Sequence, residues 1–363
     1  MQEEKFDISI IIPVFNGEIF VKKCLDTLLI QKNIANCEII FVNDGSTDKS
    51  ISIIEEYNKK NIKILSLPSN SGPAAARNLG IKNSDGEYVF FCDIDDLIDQ
   101  NALQILYNTA KKNNCEYVFS DFKKFEGDKN QRIGVYNYEK DKSFRNKEIV
   151  EAMKRELHDA SLGHLGLFGC NGRLIKRSLL IDKKIFFNEE LRWMEDKTFG
   201  WNVLSFVREA IYIRKQLYSY YFHPSIKTNV TERLNRGSSI KYIKLILNQV
   251  QKSLELRGVE TQMINILKKR GLMFFSIQAL VSLSNQIFLN KIDKQSGKEI
   301  RRRLIESIYN DKEIIQSING YKCTKSESKW IPKAMSLKST FLLEIACDLR
   351  ARDIANERRR NKK

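Results

Sequence analysis

A chain of 363 residues is longer than one average domain and points to two. With 42% apolar and 29% charged residues it has material for an ample core, which excludes a disordered or low-complexity polymer. The net charge of +16 is uneven: residues 235–363 hold 27 basic against 12 acidic side chains, and the remainder is close to balance. A basic region of this kind meets nucleic acid, anionic lipid or an acidic polymer, or is a solvated surface. Seven scattered cysteines with no C-x-x-C pair indicate neither a zinc site nor a disulfide framework, so reduced thiols in a cytoplasm are expected. The charged start, Met1 to Lys5, lacks the shape of a signal peptide.

In chain order, Ile8 to Val14 is apolar almost throughout, as in a strand covered on both faces of a parallel sheet. The turn Phe15-Asn16-Gly17 leads to a helix with Val21, Leu25, Leu28 and Leu29 at helical spacing. Cys37 to Val42 reads as a second strand. Ser46 or Thr47 is suited to cap the helix that follows, with Ile51, Ile54 and Tyr57 inward. Ile62 to Leu67 is a third strand, and Pro73 suits the first turn of the next helix. Tyr88 to Cys92 is a fourth strand, Ala102 to Ala110 a helix and Tyr117 to Ser120 a fifth strand. Strands and helices alternating at short intervals predict βαβ units and a doubly wound sheet. From Phe122 to Phe144 the pattern is irregular and polar, and Glu148 to Leu157 reads as a helix. Gly163 to Gly172 holds four glycines and a cysteine, dense for a plain connection. Leu174 to Leu180 reads as a short helix, a further helix runs through Trp201 and Phe206, and Ala210–Ile213 and Leu217–Tyr221 read as strands. Beyond about Thr231 the predicted elements are helices: Tyr242–Leu256, Thr261–Leu289, Lys298–Tyr309 and Leu337–Ala355.

The fourth strand ends abruptly in Asp93-Ile94-Asp95-Asp96. On an extended backbone Asp93 and Asp95 point the same way, and two hard oxygen donors can share a divalent cation and a diphosphate. Polar residues also crowd the other strand ends, at Pro13–Asn16, Asp44–Ser46 and Asn70–Asn78. In a parallel sheet these ends face one crevice, where ligands bind. Acids for a cation, an arginine for phosphate and a carboxylate for a base ring suit a nucleotide diphosphate. Neither G-x-G-x-x-G nor a P-loop occurs, so a dinucleotide fold is not supported.

Taken together, Pro13-Val14-Phe15-Asn16, Asn43 to Asp48, Asn70 to Asn78, Asp93-Ile94-Asp95-Asp96 and Glu195-Asp196 resemble the ordered motif set of family 2 inverting glycosyltransferases, over about Ile8 to Ser225. The resemblance implies an α/β GT-A nucleotide-diphospho-sugar transferase fold over residues 1–230, a mainly parallel sheet with flanking helices. A basic, mainly helical C-terminal domain over 231–363 is not covered by it. It implies a UDP-sugar donor, Mn²⁺ or Mg²⁺ as cofactor, and transfer to a hydroxyl of a glycan or lipid-linked glycan of a bacterial surface, such as capsule, O-antigen, lipooligosaccharide or teichoic acid. Residue by residue, Pro13, Phe15 and Asn16 are expected to line the nucleoside pocket. Asp44 would accept from the uracil ring, with Gly45 and Ser46 in the same turn. Asn70, Ala75 and Arg77 would border the nucleotide, Arg77 near the diphosphate. Asp93 would reach the ribose or metal and Asp95 would be the surest metal ligand, while the Ile94 side chain between them points away. Asp196 would be the general base. His223 is a candidate metal or phosphate ligand, and Ser225 or Lys227 would touch the diphosphate. Phe15 replaces a tyrosine, and Ile94 a serine, of many relatives.

Trp193 precedes the base and either stacks on the acceptor sugar or packs the core. Two other readings are weighed. A sugar-1-phosphate nucleotidyltransferase shares a related sheet, but Glu195-Asp196 and the missing glycine-rich N-terminal phosphate loop argue against it. A non-catalytic nucleic-acid binder is suggested by charge alone, and no nucleic-acid motif accompanies it. Gly271 to Asn290 is free of charge and long enough for a membrane span, but its serines, asparagine and glutamines fit a buried helix better. Near the end Phe341, Leu342, Ile345 and Leu349 share a face beside Arg350, Arg352 and Arg358–Arg360, which suits either an anionic membrane surface or an ordinary domain helix with a frayed basic end. The expected location is cytoplasmic, with peripheral attachment to the inner face of the cell membrane as an option.

Overall fold

The computed structural model describes residues 6–31, 36–126, 129–131, 138–158, 168–191, 194–222, 240–323 and 327–360. Strand β1 (Ile8–Val14) is buried along its length apart from Pro13. It pairs in parallel with β2 (Cys37–Asn43) on one side and β4 (Tyr88–Phe91) on the other, Ile11 lying opposite both Ile40 and Phe91. A strand flanked by neighbours and covered on both faces has no polar side, which is why its sequence is apolar almost throughout. Strand β3 (Ile62–Ser66) pairs in parallel outside β2.

The helices between these strands are α1 (Glu18–Leu29), α2 (Ser50–Glu56) and α3 (Pro73–Lys82). Pro73 occupies the first turn of α3, as predicted, after Gly72 at φ 92°. Leu29 is exposed, so the apolar stripe of α1 is Val21, Leu25 and Leu28. Ser46 and Thr47 do not cap α2. The helix begins later, and Asp48 Oδ1 accepts from the Ser50 amide at 3.0 Å.

Beyond β4 the sheet becomes mixed. Its order is β3-β2-β1-β4-β9-β6-β10-β5, ten strands in all with β7 and β8 appended. Strand β5 (Leu97–Ile98) precedes helix α4 (Ala102–Asn113). Strand β6 runs Tyr117–Glu126, further than its apolar start indicates, and β7 (Lys129–Gln131) and β8 (Lys142–Arg145) follow. Part of the segment read as irregular is therefore sheet: pairing with β10 (Glu209–Phe222) supplies an order that polar side chains do not advertise. Helix α5 (Asn146–His158) comes next.

Leu174 to Leu180 is not one helix. Arg173–Lys176 forms β9, antiparallel to both β4 and β6, and only Arg177–Asp182 is helical, as α6. A short apolar run has no decisive period, and the open slot between two strands decides it. Likewise the two strands expected around residues 210–221 are one, β10. Register shifts between Ile213 and Tyr218 absorb the exposed Arg214 and Lys215 that looked like a connection. Helix α7 (Glu195–Phe206) completes this unit.

The chain divides into two units, the second taking residues from Met153 to the end of α5 together with the described residues from 240 onward. The boundary expected near Thr231 lies outside the described residues. The second unit is helical: α8 (Ile240–Leu256), α9 (Thr261–Phe288), α10 (Lys294–Asn310), α11 (Lys312–Ile318), α12 (Trp330–Ser336) and α13 (Thr340–Arg360). Helix α9 is long and apolar enough by composition to cross a membrane, but most of that stretch is buried inside this unit. It packs against α8, α10, α11 and α13.

Gly200 lets α7 lie against the Phe168 segment: a Cβ there would stand 2.2 Å from the Phe168 carbonyl oxygen. Backbone cannot give way as a flexible side-chain tip can. Gly200→Ala should lower unfolding free energy by about 1–3 kcal/mol, measured by urea titration. Gly258→Ala, where a Cβ meets nothing within 4 Å but φ is +72°, should cost only the left-handed backbone strain of about 1–2 kcal/mol.

Candidate active site

Strands β1, β2 and β4 end side by side, and their C-terminal turns are tied to one another. Asn16 takes a left-handed conformation at φ 48°. Its amide donates to Ser46 Oγ at 3.1 Å, and its Oδ1 accepts from the Thr47 amide at 2.8 Å. The Glu18 amide donates to Asp48 Oδ2, and Glu18 Oε2 accepts from the Lys49 amide. The first two strand-end turns thus form one rigid lip, with Phe15 half exposed upon it.

Asp44 is buried, and its two oxygens accept the Ser71 and Gly72 amides at 2.6 and 2.9 Å. Gly45, at φ +76°, passes so close to the third turn that a Cβ would lie 2.8 Å from the Asn70 amide nitrogen. Only glycine meets both demands. Asn70 itself is exposed.

Helix α3 buries five successive residues, Ala74 to Asn78. At about 3.6 residues per turn this encloses the helix start on every side, which the three alanines permit. Ala75 lies in that packed region. Asn78 holds the segment ahead of α7: its Nδ2 donates to the Phe187 carbonyl and Glu189 Oε1, and its Oδ1 accepts from the Phe187 amide.

Arg77 is buried, and its guanidinium donates to Asp93 Oδ1 at 2.7 Å and to Glu195 Oε1 at 3.5 Å. Burial opposes its charge, but the Cys170 sulfur, Asp93 and Glu195 more than offset this and hold its pKa above the ordinary value. The guanidinium therefore sits inside the protein between two acids.

Residues 93–96 do not continue β4 as an extended strand. They turn back, the Asp96 amide donating to the Asp93 carbonyl at 3.1 Å. The turn gathers Asp93, Asp95 and Asp96, with one oxygen of each within 4.8 Å of the others, so alternation along a strand is not what brings them together. Each acid is held differently. Asp93 Oδ2 accepts from Asn171 Nδ2 at 2.6 Å, opposite its bond to Arg77. Asp96 is fully buried and accepts from the Tyr218 hydroxyl at 2.5 Å and the Tyr221 amide at 3.0 Å. Burial, then Asp93 and Asp95, raise the Asp96 pKa well above the carboxylate range. Asp95 shares none of these bonds. Burial and the neighbouring Asp93 push its carboxyl up to about 6. Ile94 packs against the core, within contact distance of where a Gly17 Cβ would stand.

Opposite, α7 begins with Glu195 and Asp196, just after Met194 in a left-handed conformation at φ 59°. Stacked Phe187 and Phe199, with Phe91 edge-on to both, pack its underside. Burial, then Asp196, raise the Glu195 pKa against the pull of Arg77.

Pro13, Phe15, Asn16, Asp44, Gly45, Ser46, Asn70, Arg77, Asp93 and Asp95 are thus grouped at the C-terminal ends of the parallel strands, with Asp196 tied in through its neighbour Glu195. Trp193, His223, Ser225 and Lys227 lie outside the described residues. Two residues of the site were not anticipated, Asn171 and Tyr218. Gly172 makes the second possible: it has φ +70°, and a Cβ there would be 2.9 Å from the Tyr218 ring. The glycine density around residues 163–172 was the one visible signal. Nothing in the alternation of β10 marks Tyr218.

The family model for Glycosyl transferase family 2 matches residues 9–215. Among curated proteins, the chain is 31% identical to the uncharacterized glycosyltransferase EpsJ of Bacillus subtilis over 61% of its length and 63% of the relative's. It is 34% identical to the poly(ribitol-phosphate) beta-glucosyltransferase of Bacillus spizizenii over 54% of its length and 29% of that protein's. It therefore spans less than two thirds of each. Among solved structures, S. aureus TarS 1–349 in complex with UDP superposes with a TM-score of 0.66 at 20% identity, over 96% of this chain and 92% of that one. The same TarS fragment is also solved with UDP-GlcNAc. The likeness to TarS carries the fold across both units, and more than half of the sequence matches the family: the chain belongs to glycosyl transferase family 2.

Proposed function

We propose that this chain transfers a sugar from a UDP-sugar to a hydroxyl of a bacterial surface glycan, with inversion and with a divalent cation. The observation that carries the reading is the acid turn at residues 93–96 in the same site as the acid pair at the start of α7, the two tied through Arg77. The relative that acts on poly(ribitol-phosphate) and the UDP complexes of TarS support the acceptor and donor classes.

The donor set fits a hard divalent cation. Three carboxylates are crowded together, and burial, then the charge of the neighbouring Asp93, raise the Asp95 carboxyl, a cost that a bound cation would relieve. Asp95 is the free ligand, and Asp93 would be the second, oriented by Arg77 and Asn171 as ligating carboxylates commonly are. A bound Mn²⁺ or Mg²⁺ would stabilise the negative charge on the departing diphosphate. The lip formed by Phe15, Asn16 and Ser46 would hold the nucleoside, and Asp44 fixes the Asn70 turn beside it. Asp196 would take the proton of the acceptor hydroxyl as that oxygen attacks the anomeric carbon from the face opposite UDP. Glu195, held by Arg77, fixes where α7 begins and so where Asp196 stands.

Asp196→Asn should bind UDP with Mn²⁺ normally and transfer about 10²–10⁴-fold more slowly. The amide preserves shape but cannot accept the proton. Calorimetry of UDP–Mn²⁺ binding beside turnover with an acceptor tests this. Turnover within a few-fold of wild type would move the base to another residue.

Asp95→Asn should have opposite effects on function and stability. The folded carboxyl titrates at about 6 against an ordinary 3.8, so the native chain holds this proton more tightly than the unfolded chain. Its ionisation therefore costs stability as pH rises through that window. The cost is absent below the lower value and complete above the higher. Removing the charge should stabilise the metal-free protein at neutral pH by roughly 1–3 kcal/mol, and the gain should vanish in acid. Metal-dependent UDP binding should be lost at every pH. Thermal melts across pH, with and without UDP and Mn²⁺, read both effects.

A further inference from the structure

We infer that the second unit docks on an anionic lipid surface through the outward face of α13. An ordinary surface helix buries its apolar stripe and shows polar residues to water. Helix α13 does bury one stripe, with Leu343, Cys347, Ala351 and Ala355 inside. It carries a second stripe on the opposite side. Phe341 is 70% exposed and Leu349 53%, with Leu342 and Ile345 between them on the same face at helical spacing. Arg352 continues this face, its guanidinium 6.0 Å from the ring of the exposed Phe288. Helix α12 packs on α13 and adds Trp330, 68% exposed, with Leu337 just beyond its end 61% exposed. Large apolar side chains exposed together on one helix face mark an interaction site.

The charges around it select lipid. Basic side chains exceed acidic ones by 27 to 12 over residues 235–363. Most acids of α13 are already neutralised within the unit: Glu344 and Asp348 pair with Arg301, and Glu357 pairs with Arg350. Lys333 lies 5.6 Å from the Trp330 ring, and together with Lys329 and Ser336 it lines a cleft of about 350 Å³. Exposed tryptophan and phenylalanine bordered by Lys and Arg is the composition of helices that lie in the membrane interface. A second copy of this chain would bring the same positive field against itself, which disfavours self-association through this face. The inference concerns the second unit alone and does not depend on the donor-site reading.

The test is flotation of the full chain with vesicles of phosphatidylglycerol and phosphatidylcholine, and with phosphatidylcholine alone. The intact chain should float with the anionic vesicles, bind neutral ones weakly, and lose binding as salt rises. Phe341→Glu combined with Leu349→Glu should lower vesicle affinity about a hundredfold or more, because two buried apolar side chains are lost and two like charges gained. Arg352→Glu alone should lower it about tenfold. Both positions of the double variant face outward, so its melting temperature should match wild type, and UDP-sugar hydrolysis without vesicles should be unchanged in all three proteins. The inference is overturned if the intact chain does not bind anionic vesicles or if the double variant binds as well as wild type. It is also overturned if light scattering shows a dimer that the double variant converts to monomer, since a second copy would then cover this face.

Discussion

The buried guanidinium of Arg77 is the interaction on which the rest of the first unit depends. It lies on α3, bonded to Asp93 after β4 and to Glu195 at the start of α7. Three elements, the last of them far along the chain from the other two, are thereby fixed around one cation. Removing one partner from such a group leaves a buried charge uncompensated, typically at a cost of about 3–5 kcal/mol. The fork of an arginine reaches two acids at once, which a lysine ammonium does not do with the same geometry. The cation also sets the charge balance of the site. One guanidinium stands among Asp93, Asp95, Asp96, Glu195 and Asp196, so negative charge remains in excess. At Asp95, burial and then the charge of the neighbouring Asp93 raise the pKa.

Around this centre the sheet has two different tasks. Its parallel half, β3-β2-β1-β4, brings four strand-end turns to one crevice, and the turns brace each other through Asn16, Ser46, Asp44 and Gly45. That bracing is almost entirely side chain to backbone amide, so it fixes loop position without large side chains filling the crevice. The mixed half approaches from the other direction. Strand β9 slips between β4 and β6 and carries Asn171 and Gly172 to the end of β4, where the Gly172 amide donates to the Phe91 carbonyl. Long β10 brings Tyr218 beneath the acid turn. Its hydroxyl accepts from the Asp93 amide and donates to Asp96, so one phenol holds both ends of the turn.

The sequence made the parallel half legible and the mixed half much less so, for a physical reason. Strands buried on both faces read as nearly continuous apolar runs, and β1, β2 and β4 announce themselves. The polar residues at their ends are equally visible, because several such turns recur in order at the ends of successive apolar runs. Strand β9 is four residues long and β5 two, and their identity depends on partners remote in the chain. Asp93 and Asp95 were grouped correctly through the wrong geometry: a turn gathers them, and only a turn brings in Asp96 as well. The motif puts Arg77 near a diphosphate, while its neighbours in the structure are acids of the protein itself, Asp93 and Glu195. Burial of this kind depends on α7, which no residue near Arg77 in sequence foretells.

The helical unit repeats the logic of the first with different partners. Arg301 of α10 is buried, bonded to Ser284 of α9 at 3.0 Å and to Asp348 of α13 at 2.5 Å, with Glu344 at 3.5 Å. Again one arginine ties three elements. This explains the composition of α9, whose uncharged stretch otherwise resembles a membrane span. Two of its serines are used internally: Ser276 donates to the Leu272 carbonyl, and Ser284 accepts from Arg301. A lipid-facing helix has no such use for a serine aimed at a charged neighbour, whereas the centre of a helical bundle does. It also explains where the unit's surplus charge ends up. Glu344 and Asp348 of α13 are matched by Arg301 within the bundle, so the surplus of 27 basic over 12 acidic side chains in residues 235–363 rests on side chains outside that pairing.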